Sequence, residues 1–203
     1  MRDKSVKRES AEAPCVPPPR DRIVATAQDL FHRHGIRGVG VETIAEAAGT
    51  NKMTLYRHFD SKDELILEYL NYKGRKSEEI WADIERSNPG DSAAQLYGFV
   101  AHAARFIAED GRGCDLANAA VELTEVGHPG LRVIEEFKSR QRERLAALCA
   151  SAGATQPALL ADTLFLLIEG ARVSRRNNGA QGPSANLLQT SHAVLASFGV
   201  PAQ

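Results

Sequence analysis

Between Ala48 and Leu65 the chain reads AGTNKMTLYRHFDSKDEL, one helix stop and two helix starts in a single short window. Gly49 suits the left-handed residue that closes a helix. Asn51 is a good N-cap for a helix over Lys52–Phe59. Ser61-Lys62-Asp63-Glu64 matches the S-x-x-E capping box and opens the next helix. The same window gathers Lys52, Tyr56, Arg57, His58 and Lys62, although the chain as a whole carries a net charge of only −1. Local clustering, not bulk charge, sets this segment apart.

The flanking sequence has the same helical grain. Ile23, Ala27, Leu30 and Phe31 recur at i, i+4, i+7 and i+8, a stripe of helical period that Gly35 ends. A short second helix is expected over Val41–Ala48, with Ile44, Ala45 and Ala48 on one side. The helix capped by Ser61 extends to about Arg86, and SNPG ends it. Further helices are expected over about Asp91–Ala108, Gly113–Glu125, Pro129–Ser151 and Pro183–Phe198. The segment QPALLADTLFLLIEGARVSRR is so apolar that burial on more than one side is expected. No alternating strand pattern and no internal repeat occurs, so the expected fold is all-α.

Composition narrows the function classes. A hydrophobic fraction of 43% and a charged fraction of 25% are those of an ordinary globular protein. No apolar run approaches the roughly 18 residues a membrane span needs, and the N-terminus lacks the apolar core of a secretory signal. Cys15, Cys114 and Cys149 are too sparse for a disulfide framework and fit a reducing cytoplasm. Residues 20–62 sum to +2 and residues 63–203 to −4, a mild asymmetry that permits a nucleic-acid partner without requiring one. Residues 1–19, ending in PPP, are expected to be a flexible arm.

Three helices with a tight Gly49-Thr50-Asn51 turn between the second and third make a helix-turn-helix unit, which places one helix in a DNA major groove. Projected at 100° per residue, Leu55 and Phe59 share a face turned to a small core of Ile23, Phe31 and Ile44. Met53 and Arg57 lie nearly opposite and face outward. The stretch VETIAEAAGTNKMTLYRHFDSKDELI resembles the N-terminal DNA-binding domain of the TetR family of bacterial transcriptional regulators. The resemblance is carried by Ile44-Ala45, Ala48-Gly49, Leu55-Tyr56, His58-Phe59, Lys62 and Leu65, with the first helix fitting as well.

That resemblance implies an N-terminal helix-turn-helix domain over residues 20–66 joined to a larger helical ligand-binding and dimerisation domain over residues 67–203. It implies base-edge contacts by Lys52, Met53 and Thr54, and phosphate contacts by Tyr56, His58 and Lys62. The chemistry suits: an ammonium donates to guanine, methyl groups meet thymine, and cations or hydroxyls meet phosphate. Arg57 fits either role. Two departures bear on the operator sequence: Gly40 stands where the family often has a capping Thr or Ser, and Asn51-Lys52-Met53 replaces its Ser-x-Gly turn.

For the C-terminal helices the resemblance implies a dimer seam and a small-molecule pocket. Leu160, Leu164, Leu167, Ile168, Leu187, Leu188, Val194 and Leu195 are the seam candidates. Phe99, His102, Phe106, Asn118, Phe137 and Phe165 are the pocket candidates, a mixture of apolar and polar groups. The expected partners are a double-stranded DNA operator, a second copy of the chain and an unidentified small-molecule effector, with no membrane and no cofactor. Glu125 and His128 have the Glu-x-x-His spacing of a carboxylate-bridged site, but one copy flanked by Gly127 and Pro129 makes a metal unexpected. Cys114 with His102 lacks a third orienting group, so no catalytic residue is expected. The alternative is a helical small-molecule-binding protein or enzyme that kept this fold without operator binding.

Overall fold

The computed structural model describes residues 17–202. The arm expected over residues 1–19 falls almost wholly outside them, as does Cys15. Within the described residues the chain is a succession of helices without a strand: α1 (Pro19–His34), α2 (Val41–Ala47), α3 (Lys52–Tyr56), α4 (Lys62–Ser87), α5 (Ser92–Glu109), α6 (Asp115–Glu122), α7 (Pro129–Ser151), α8 (Pro157–Asn178) and α9 (Leu187–Ser197). A 3₁₀ turn over Pro183–Asn186 leads into α9. The fold is all-α, as the periodicity predicts.

Local signals set the short helices. At the end of α2 the amide of Thr50 donates to Ala45 O (2.9 Å) and that of Gly49 to Glu46 O (3.0 Å). This pair of bonds needs a left-handed residue, and Gly49 supplies it at φ +64°. The Asn51 side chain accepts from Thr54 N at 2.9 Å and starts α3. Ser61 Oγ accepts from Glu64 N at 3.1 Å, while Glu64 reaches back to Asp60 N at 2.7 Å, one residue earlier than in a reciprocal capping box.

Three helices differ from the sequence expectation by more than one residue at an end. α3 stops at Tyr56 rather than Phe59, because the amides of His58 and Phe59 both turn back to Leu55 O (3.0 Å each) and deliver the Phe59 ring to the core. α6 is shorter at both ends, with Leu123 closing it and burying its side chain. The last helix begins as a 3₁₀ turn where Pro183 supplies no amide.

A first core gathers Ile23, Ala27 and Phe31 of α1, Ile44 and Ala45 of α2, Leu55 and Phe59, and Leu65, Ile66, Tyr69 and Leu70 of α4. It continues without a break into Leu116 and Ala119 of α6 and Ile134 and Phe137 of α7. α4 therefore serves as floor for the front of the chain and wall for the back. A second core joins Trp81, Leu96, Val100, Leu145, Cys149, Leu160, Leu164 and Leu195. A third, smaller one joins Ala103, Ile107, Ile168, Ala171 and Leu187. α8 departs from the expectation of burial on several sides. Leu160, Ala161, Leu164, Ile168 and Ala171 are buried, but Leu159, Leu166 and Val173 stand on an exposed stripe, because among the described residues no other element covers it. Among the described residues no helix is long and apolar enough to cross a membrane.

Candidate functional site

α3 is a five-residue helix pinned by Leu55 in its only turn and by Phe59 just beyond its end. Leu55 is fully buried and Phe59 nearly so, and Arg20 lies over the Phe59 ring at 5.1 Å. Met53 is 76% exposed and Tyr56 42% exposed, with Lys52, Arg57 and His58 also at the surface and Thr54 half-buried. The projection of the sequence onto a helix is thus reproduced: anchors inward, candidate contacts outward. A helix this short has little stability of its own. Its pose depends on the two anchors and on its caps.

Two of the candidate cations already have partners. Lys52 is paired with Glu42 of α2, and its ammonium lies 5.9 Å from the centre of the Tyr56 ring. The mutual hydrogen bond raises the Lys52 pKa and lowers that of Glu42. Both side chains are exposed, so the ammonium is free to exchange Glu42 for another acceptor. Lys62 is held more firmly. Its Nζ donates to Ile36 O at 2.6 Å, and partial burial lowers its pKa. It ties the start of α4 to the α1–α2 loop, which shapes the unit as well as charging it.

One positioning residue escaped the sequence reading. Arg22 of α1 donates from Nε to Ala48 O (3.0 Å) and from Nη2 to Gly49 O (3.3 Å), satisfying carbonyls at the end of α2. A cation at a helix C-terminus is a known device. Here it comes from 26 residues away, and no local pattern announces it.

The larger part of the chain encloses a cavity of about 470 Å³ between α4, α5, α7 and α8. Phe99, His102, Phe106, Phe137 and Phe165 all line it, so five of the six pocket candidates come together. Asn118 does not. It lines a separate cavity of about 490 Å³ beside the end of α1, and its amide donates to Arg112 O at 3.0 Å. Trp81, stacked on Phe99 at 4.6 Å, and Lys138, Glu169 and Arg172 complete the first cavity and were missed. Burial, with Arg105 and Arg172 nearby, holds the His102 pKa below its ordinary value. Cys114 lines the same cavity, 3.6 Å from Lys138 Nζ. Cys149 is a buried core thiol, and burial pushes its pKa up to about 11.

Between cavity and helix-turn-helix lies a charged joint at the start of α6. Asp115 lines both cavities. Its carboxylate meets His32 Nδ1 of α1 (2.7 Å) and Lys73 Nζ of α4 (2.7 Å). Burial pushes the Asp115 pKa up, but hydrogen bonds from Lys73 and His32 outweigh it, so the group stays below the usual carboxylate range. Asp110 sits 3.6 Å from the other nitrogen of His32, and Arg112 Nη1 donates to the Arg33 carbonyl. Glu122 accepts from Arg37 N at 2.8 Å and crowds Gly35, where a Cβ would come within 2.5 Å of its carboxylate. His32 and Arg33 at the end of α1, and Arg37 in the loop after it, are thereby gripped from α6 and the loop before it.

The seam candidates divide. Leu160, Leu164, Ile168, Leu187 and Leu195 are buried in the protomer's own cores, and Leu167 and Val194 are half-buried. Leu188 alone among the eight is exposed, as are Leu159, Leu166 and Val173 on α8. Helical period identified the apolar helices correctly but assigned the inward side of α8 to the seam. His128 is buried as the N-cap of α7, accepting from Gly130 N at 3.0 Å and facing Asp63 at 3.5 Å. Glu125 is exposed, so the pair shares no helical face.

Comparison with known proteins converges on one family. Residues 23–69 match the family model described as bacterial regulatory proteins, tetR family. An uncharacterised HTH-type transcriptional regulator of Mycobacterium tuberculosis is 39% identical over 56 residues, 28% of each chain. The HTH-type transcriptional regulator QacR of Staphylococcus aureus is 34% identical over 62 residues, 30% of this chain and 33% of QacR. These matches thus span a third or less of the relatives' own length. The structural likeness runs further. A TetR-family transcriptional regulator from Streptomyces coelicolor superposes with a TM-score of 0.80 at 27% identity, covering 89% of this chain and 95% of that one. With a family match over residues 23–69 and a fold shared almost end to end with a TetR-family regulator, the front of the chain carries the domain of the tetR family of bacterial regulatory proteins, and the chain as a whole resembles that family.

Proposed function

We propose that this chain is a homodimeric DNA-binding regulator, a cytoplasmic repressor released from a palindromic operator by a small molecule held in the α4–α5–α7–α8 cavity. The observation that carries this reading is the two-sided α3, with Leu55 and Phe59 buried and Met53, Tyr56, Arg57 and His58 exposed. Lys52, Met53 and Thr54 would meet base edges. Tyr56, His58 and Lys62 would meet phosphates, with Arg57 in either role. Lys52 would exchange Glu42 for its base.

The exposed Leu159, Leu166 and Val173 support pairing of two copies through α8, with Leu188 of α9 nearby in the seam. Two α3 helices would then enter successive major grooves about 34–36 Å apart. Asp115 supplies a route between the sites, because it borders the cavity and holds the end of α1. An effector that shifts α6 moves α1, and with it the spacing of the two α3 helices. By linkage, operator DNA then weakens effector binding by the same factor that effector weakens DNA binding.

The reading is tested by fluorescence anisotropy of the full chain on duplexes recovered from a genomic pool, with salt varied. Arg57→Ala should weaken binding, and Lys52→Ala should relax sequence preference. Tyr56→Phe should weaken all sequences alike. Salt-independent, sequence-indifferent retention in all three variants and the parent would reject the DNA-reading role. Turnover of a bound small molecule would instead favour an enzyme that kept the fold.

A further inference from the structure

The charges around the cavity show what kind of molecule completes it. Four carboxylates line the wall, and each already has a cation. Glu79 is paired with Lys76 at 2.7 Å, Asp83 with Arg86 at 2.6 Å, and Asp115 with Lys73 at 2.7 Å. Glu169 is different in having two from Lys and Arg, the second partner of Asp115 being the imidazole of His32. Its Oε1 takes Lys138 Nζ at 2.8 Å and Arg172 Nη1 at 2.7 Å, on facing helices α7 and α8. One negative charge between two positive ones leaves this stretch of the wall, where α7 faces α8, locally positive.

Donors are left over as well. Among the described residues the Arg172 guanidinium donates only through Nη1, and its Nε is buried without a partner. Apart from Glu169, Lys138 has among the described residues only the weak acceptor Cys114 Sγ. These side chains are three-quarters shielded from water, where an uncompensated charge is costly and an incoming anion is favoured. His102 adds no second positive charge at neutral pH, since burial and the neighbouring arginines keep it unprotonated. The remaining wall is aromatic: Lys138 stands 5.2 Å over the Phe165 ring, with Phe99 and Phe137 also on the lining. A volume of about 470 Å³ falls within the range of small-molecule sites.

We propose that the cavity takes a monoanionic aromatic carboxylate, its acid group seated between Lys138 and Arg172 and its ring against Phe99, Phe137 and Phe165. This rests on the reading of the cavity as an effector site. A cationic ligand finds no free carboxylate there. A neutral one leaves the Arg172 donors unsatisfied, which is the kind of penalty that lets a polar site reject a close analogue.

The test is calorimetric titration of the full chain with 2-naphthoate, 2-naphthamide and 2-naphthylmethylammonium. Naphthoate should bind at least about tenfold more tightly than the amide, and the ammonium most weakly. Arg172→Met should bring naphthoate down to the amide's affinity while leaving the amide unchanged. Arg172→Lys should keep part of the preference, which a packing role alone would not restore. Lys138→Met gives a second reading should Arg172→Met lose its helical circular-dichroism signal. Equal affinity for acid and amide, preference for the ammonium, or binding of none of the three would overturn the proposal. Retention of operator fragments is measured in parallel on the parent chain. Operator binding with no acid preference sinks this inference alone, whereas acid-selective binding without operator binding sinks the regulator reading and upholds this one.

Discussion

The front and the back of this molecule hold their shape by different means. The helix-turn-helix end turns on two helices too short to persist alone, α2 and α3, fixed by an N-cap at Asn51, a left-handed Gly49 and two buried anchors. The C-terminal end is made of long helices whose positions follow from broad apolar packing and from ion pairs between helices, such as Lys138–Glu169 and Arg142–Asp162. The difference teaches where each part is vulnerable. Losing one anchor or cap should displace α3 as a unit. The long helices should absorb single surface changes and fail only where a core or the α6 joint is struck.

The largest effect should come from Leu55→Ala. It leaves a hole in the first core at the base of α3, and unfolding in urea should show a loss of about 3 kcal/mol. A loss under 1 kcal/mol would mean that α3 is held by something other than its anchors. Asp115→Asn comes next. It removes a charged acceptor shared by His32 and Lys73, and about 2 kcal/mol should go with it. Its pH dependence has a definite sign. The folded pKa lies below the ordinary Asp value, so the stabilisation is present above that value, near 4, and is lost as pH falls through the lower folded one. The stability difference between parent and Asp115→Asn should therefore shrink on acidification below about pH 4, and growth of the difference there would contradict the assignment.

Asn51→Ala should remove about 1 kcal/mol by leaving the Thr54 amide without its acceptor. Hydrogen exchange should show the loss concentrated in α3. The smallest change in unfolding free energy belongs to Leu166→Ala, within about 0.5 kcal/mol per protomer because the side chain is 70% exposed. Sedimentation at falling concentration should nevertheless show it dissociating earlier than the parent. A parent chain that sediments as a monomer throughout would remove α8 as a seam.

The same contrast explains what the sequence made legible. Caps and turn glycines act within four residues, so Asn51, Ser61 and Gly49 could be placed from the string alone. The inward face of α3 followed from two large apolar residues four apart. Contacts between distant residues could not be read: Arg22 on Ala48, Lys62 on Ile36 and Asp115 on His32 depend on how helices cross. Asn118 looked like a pocket residue by type, but its amide faces the Arg112 carbonyl. For α8, apolarity named the helix but not which stripe turns inward, because both stripes are leucine-rich. The Leu164 side fills the protomer and the Leu166 side does not.

Selection of duplexes from a random pool by the full chain, followed by footprinting of the recovered sites, bears most directly on whether α3 reads DNA. An inverted repeat with half-site centres one helical turn or a multiple of it apart, lost when Met53 and Arg57 are both replaced by alanine, is the outcome expected of two pinned α3 helices. A recovered pool as random as the input, or an inverted repeat still selected by the double variant, would contradict it.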